Sequence, residues 1–127
     1  MVAARSILAQ GVNSSTLTRV GHLLAGTFLR RTITAPWGVA CVLTGSDRYC
    51  HYDPPGGVDK PVPQLRFERV LGPGDFVTWL EPPDDIHSQQ GIGEAALEIV
   101  LFGKNVMAMP RRYYDLVSGR VTTALPQ

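Results

Sequence analysis

The sequence predicts an all-β domain, a small and mostly antiparallel barrel of the jelly-roll kind, preceded by a short helical segment. Three observations carry this expectation. Short β-rich runs follow one another, Gly and Pro clusters punctuate them, and 127 residues with 44% hydrophobic and 18% charged content suffice for one compact core. Several short strands with closely spaced turns favour a barrel or sandwich over a βαβ arrangement.

Taken in order, residues 2–10 read as a short helix closed by Gly11, with Asn13, Ser14, Ser15 and Thr16 forming a turn or helix-cap cluster. Residues 17–31 are ambiguous between helix and strand. Strands are expected over 37–44, 47–52, 64–70, 75–81, 95–102, 104–109 and, more weakly, 119–124, because turn signals such as Gly45-Ser46, Gly72-Pro73-Gly74, Pro82-Pro83 and Gly103 separate them. The Pro, Gly and Asp-rich stretch 53–63 is a long loop that could cover a barrel mouth. Residues 1–25 are expected to form an N-terminal arm and 26–127 the barrel. Gly45-Ser46 suits a two-residue hairpin turn that would oppose Val42 to Tyr49, Cys41 to Cys50 and Ala40 to His51. Two free thiols are expected rather than a disulfide.

From Gly26 to Gly45, with Thr32, Thr34 and Gly38 between, the spacing resembles the first cupin motif, in which a His-x-His pair and a Glu stand where this chain has those three residues. The stretch from Gly72 to His87 resembles the second cupin motif and keeps its histidine. The run Pro82 to His87, the strand Leu97 to Gly103 and the segment Tyr114 to Val121, in that order, are similar to the C-terminal half of the cysteine dioxygenase-like cupins. Trp37-Gly38-Val39 ahead of Val42-Leu43-Thr44-Gly45 fits the same group. The resemblance covers roughly 26–121 and implies a cupin barrel (double-stranded β-helix) with a ligand pocket inside it. In that family three histidines hold ferrous iron and a small thiol is oxidised to a sulfinate. With Thr32 and Thr34 in two of the ligand slots, the chain is expected not to be an ordinary thiol dioxygenase, because hydroxyls are poor iron donors.

The cupin resemblance implies which slots face inward, among them Gly38, Glu98, Val100 and Phe102, and alternation along the strands extends the assignment. If Gly38 faces inward, Ala40, Val42, Tyr49 and His51 do too. Phe76, Thr78, Leu80, Glu98, Val100 and Phe102 are the expected inner positions further on. His87, Glu98 and His51 are the candidate acid/base residues, since an imidazole can take and give a proton near neutral pH and a buried carboxylate needs a partner. His87 and Glu98 are expected close together. Tyr49, Arg111, Arg112, Thr32, Thr34 and Phe102 are the candidate substrate-binding residues; the resemblance implies a carboxylate-gripping arginine near Arg111 and Arg112, of which at most one points inward.

Twelve basic against eleven acidic side chains leave a formal net charge of +1, which gives no nucleic-acid footprint, and no apolar run is long enough to cross a bilayer as a helix. The partner is therefore expected to be a small molecule, and the cupin resemblance adds a homodimer through edge strands. Arg5, Arg19, Arg30 and Arg31 all precede the first acid, Asp47; the compartment is read as cytoplasmic, with a mitochondrial address as the alternative. Three functions compete. The first is an enzyme performing isomerisation, cyclisation or elimination on a small anion without metal or other cofactor. The second is a rebuilt iron(II) site of His51, His87 and Glu98 in an oxygenase, and the third is a ligand-binding cupin that does no chemistry.

Overall fold

The computed structural model describes residues 7–10, 17–23, 31–33, 36–93, 95–104 and 109–124, the first three segments as backbone strands. Eleven strands are described: β1 (Ile7–Gln10), β2 (Leu17–Leu23), β3 (Arg31–Ile33), β4 (Gly38–Thr44), β5 (Asp47–Asp53), β6 (Gln64–Leu71), β7 (Phe76–Trp79), β8 (His87–Gly91), β9 (Ala96–Phe102), β10 (Arg111–Asp115) and β11 (Val121–Ala124). They form two antiparallel sheets, β1-β2-β9-β4-β7 and β11-β10-β3-β8-β5-β6. No helix occurs among the described residues. The expected all-β jelly roll is therefore present. The helix expected over 2–10 lies partly outside the described residues. Its described part, 7–10, is strand β1, laid against Leu17–Val20 of β2.

The Gly45-Ser46 hairpin is corrected. β4 pairs with β7 and β9, whereas β5 pairs with β6 and β8, so the turn carries the chain from one sheet to the other. Gly45 has φ +78°, and a Cβ there would meet the Ala95 carbonyl oxygen at 2.8 Å, so both conformation and space select glycine. Because both strands bound the same interior, Ala40, Val42, Tyr49 and His51 are buried together, as alternation suggested. Cys41 and Cys50 are not opposed; both are free thiols.

The core between the sheets consists of Ala40, Val42, Tyr49, Leu71, Val77, Trp79 and Phe102, with Val100 packed against it. A second cluster, Cys50, Tyr52, Ile86 and Tyr114, uses the opposite parity of β5. The inner positions expected on β7 are off by one residue. Val77 and Trp79 are buried while Phe76 and Leu80 are 59% and 65% exposed. The turn before β7 causes this. Gly74 donates its N–H to the Val42 carbonyl and Val42 donates to that of Asp75, which fixes where the strand begins. β8 and β10 were not expected as strands, and the run 104–109 falls mostly outside the described residues.

Candidate active site

β5 and β8 carry most of the candidate residues on their inner face. Their antiparallel register sets His51 directly opposite His87, Tyr49 opposite Gln89 and Asp47 opposite Gly91. Asp47, Tyr49, His51, Gln89 and His87 therefore share one face. β9 supplies Glu98 and Phe102 from the facing sheet, and β10 supplies Arg111. All but the half-buried Gln89 are buried.

The aromatic rings form a continuous row. His87 stacks on Trp79 at 4.4 Å between centroids and on Tyr49 at 5.7 Å, and His51 stacks on Phe67 at 5.2 Å with a 2° interplanar angle. The guanidinium carbon of Arg111 lies 5.9 Å from the centroid of Phe102. His87 Nδ1 is 2.7 Å from the Asp85 carbonyl oxygen, which can only accept, so Nδ1 carries the proton and Nε2 keeps its lone pair. Burial, with the nearby charges of His51 and Arg111, outweighs that hydrogen bond and brings the His87 pKa down to about 4. His87 is thus a neutral imidazole at physiological pH. The Tyr49 hydroxyl lies 3.3 Å from His51 Nδ1. Burial, reinforced by the charge of Asp47, raises the tyrosine pKa, so the phenol stays protonated and can donate to that nitrogen. Burial and Arg66 lower the pKa of His51 as well.

The hydrogen bonds that hold Glu98 come from Gln89 and Asp47. The Glu98 carboxylate accepts from Gln89 Nε2 at 3.1 and 3.2 Å, and the same amide nitrogen donates to Asp47 at 3.1 Å. Glu98 also hydrogen-bonds Asp47 directly, and burial together with that neighbouring carboxylate brings its pKa up to about 9. A hydrogen bond between two carboxyls requires a proton on one of them, so the pair is a carboxylic acid beside a carboxylate. Asp47 further accepts the Gln90 backbone N–H at 2.9 Å. The sequence reading missed Asp47, Gln89 and Trp79. Asp47 and Gln89 carried a signal only in hindsight, as polar residues with the inward parity of Tyr49 and His87.

The indole of Trp79 fills the space in front of Gly38. A Cβ on Gly38 would stand 2.3 Å from Trp79 Cζ2, and Trp79 Nε1 donates to the Pro36 carbonyl at 2.8 Å. Among the arginines, Arg111 is buried and Arg112 exposed, as strand alternation requires. Thr32 lies on β3 opposite Tyr114, with only its backbone described, and Thr34 lies outside the described residues.

Comparison with solved structures places the fold among the cupins. The DMSP lyase DddQ from Ruegeria pomeroyi DSS-3 matches over 85% of this chain and 50% of its own, at 17% identity and a TM-score of 0.58. A cupin superfamily protein from Desulfitobacterium hafniense matches over 81% of this chain and 79% of its own, at 12% identity and 0.58. Bacillus subtilis oxalate decarboxylase matches over 80% of this chain and 25% of its own, at 18% identity and 0.59. The chain spans about half the length of the lyase and a quarter of the decarboxylase. No protein-family model and no curated protein sequence matches it.

The decarboxylase corrects one expectation. It has Mn(II) centres, so a barrel of this shape does house a metal, and the expectation of no cofactor, with iron(II) as the alternative, does not stand. The described donors of this chain nevertheless do not fit such a centre. Among the described side chains, His51 and His87 are the buried imidazoles, and Glu98 is engaged by Gln89 and Asp47. No group of three His, Cys, Asp or Glu gathers among the described residues.

Proposed function

We propose that the chain is a cupin-fold enzyme that moves protons on a small anionic molecule in its barrel, in an isomerisation, cyclisation or elimination. The observation that carries this reading is the cross-strand pair of buried imidazoles, His51 opposite His87, with Tyr49 hydrogen-bonded to the first. His87 is the base. Its Nδ1–H is held by the Asp85 carbonyl, and its Nε2 lone pair is available to take a proton from a carbon or hydroxyl acid. Tyr49 and His51 are the acid side: the phenol supports His51 Nδ1 so that Nε2–H can be given to the developing product. Arg111, beside Phe102 and close enough to depress the His87 pKa, supplies positive charge for the substrate anion. The same positive charge favours an enolate or carbanion as it forms.

Two further observations support the reading. By the motifs that resemble those of the cysteine dioxygenase-like cupins, His87 corresponds to a metal-ligand histidine, a position that lies at the reaction centre in that family. A lyase of the same fold also stands among the similar structures. The test is hydrogen exchange: the protein is incubated in D2O with a panel of small carboxylic acids, and deuterium incorporation on carbon is followed by proton NMR. Incorporation into at least one acid by the parent, lost in His87→Gln with the fold intact, is the expected result. Equal exchange by parent and variant, or none across the panel, would leave a ligand-binding barrel instead.

A further inference from the structure

The two sheets are open along one side. β6 ends one sheet and β7 ends the other, and no backbone ladder joins them; the turn from Gly72 to Asp75 is their connection. A cavity of about 340 Å³ lies at this opening, lined by Phe67 and Arg69 from β6 and by Asp75, Phe76 and Thr78 from the turn and β7. That volume is in the range of small-molecule sites.

Register connects the cavity to the interior. Phe67 pairs with His51 and Arg69 pairs with Tyr49, so both β6 side chains stand on the face that carries the candidate acid/base residues. Phe67 is nevertheless 41% exposed, with one side on the His51 ring and the other on the cavity. It is a single ring between solvent and a buried imidazole. Arg69 is exposed on the cavity wall and forms no ion pair among the described residues, unlike Arg48 and Arg66.

We infer that this opening is a binding subsite for a small monocarboxylate with an apolar or aromatic body, and the doorway through which such a molecule reaches His51. The guanidinium of Arg69 takes the carboxylate, in the bidentate manner that geometry allows. The rings of Phe67 and Phe76 hold the apolar part. Asp75, whose carboxylate accepts the Gly72 N–H at 2.9 Å and shapes the turn, puts a negative charge on the rim and disfavours a second anionic group on the ligand. The role of the doorway rests on the acid/base reading above. The subsite does not.

The experiment is a titration of the 15N-labelled full chain with benzoate, hexanoate, phthalate and neutral benzyl alcohol, followed through amide shifts. Benzoate and hexanoate should saturate, with shifts centred on Phe67, Arg69, Val77 and Thr78, and phthalate and benzyl alcohol should bind at least tenfold more weakly. Arg69→Gln, an exposed substitution whose spectrum reports its own folding, should weaken benzoate at least tenfold. His87→Gln should bind it as the parent does. Shifts centred elsewhere, absence of saturation, or undiminished binding by Arg69→Gln would overturn the proposal. If the subsite binds benzoate as described while no carboxylate exchanges deuterium, the acid/base reading fails and the subsite stands.

Discussion

Replacing Gly38 by alanine tests whether the indole of Trp79 fills the space in front of Gly38. The new methyl would lie 2.3 and 2.7 Å from Trp79 Cζ2 and Cε2 and 2.9 Å from the Leu101 carbonyl oxygen, all closer than carbon tolerates. The indole cannot simply swing aside. Its Nε1–H is bound to the Pro36 carbonyl and its face is stacked on His87. Overpacking of this kind costs about 1–3 kcal/mol. For a domain of this size that lowers the melting temperature by roughly 4–11 °C, at about 2 cal/mol/K of unfolding entropy per residue. Trp79→Phe removes the two clashing ring atoms, so Gly38→Ala should cost less than half as much in that background. The assay is thermal and urea unfolding of the four proteins in a double-mutant cycle. Gly38→Ala melting within 1 °C of the parent, or costing the same with Phe at 79, would refute the packing argument.

Acid should destabilise the protein through His87. Its folded pKa is lowered to about 4 from an ordinary 6.5, so its contribution is full above 6.5 and is lost as the pH falls through 4. The loss amounts to about 3 kcal/mol at 1.36 kcal/mol per pH unit, and urea melts of the parent and His87→Gln between pH 7 and 4 should differ by that dependence. Glu98 acts in the opposite sense. Its folded pKa is raised to about 9, so its contribution is full below the ordinary 4.5 and is lost as the pH rises toward 9. Glu98→Gln should therefore flatten the decline in stability between pH 5 and 9; a decline as steep as the parent's would place the shared proton elsewhere. A thiol reagent should label partly exposed Cys41 well before buried Cys50, and mass spectrometry of timed samples should find the modification on the peptide containing Cys41.

Much of this arrangement is legible in the sequence, where apolar and polar residues alternate. On β9, Glu98, Val100 and Phe102 share one parity and do line the interior, and His87 is buried. Phe76-Val77-Thr78-Trp79-Leu80 gives no such contrast, because both faces carry large apolar side chains. Its register is set by hydrogen bonds between the preceding turn and Val42, which no local pattern records. β8 reads His-Ser-Gln-Gln-Gly and has little β propensity. It is a strand because β5 and β3 pair with its two edges. The partners of Glu98 were hidden for a related reason. Asp47 reaches it from the facing sheet, across a turn that looked like a tight hairpin and is instead a passage between layers.

The central claim is that His87 sits inside the barrel as a neutral imidazole with its proton on Nδ1. Long-range 1H–15N correlation of the histidine rings, recorded from pH 8 to pH 4, measures tautomer and pKa for each residue together. The account predicts that the His87 ring shows the Nδ1–H form throughout the neutral range and begins to titrate only near the acid end, with His51 also below its ordinary value. A His87 ring protonated on Nε2, or one that titrates near 6.5, would contradict it.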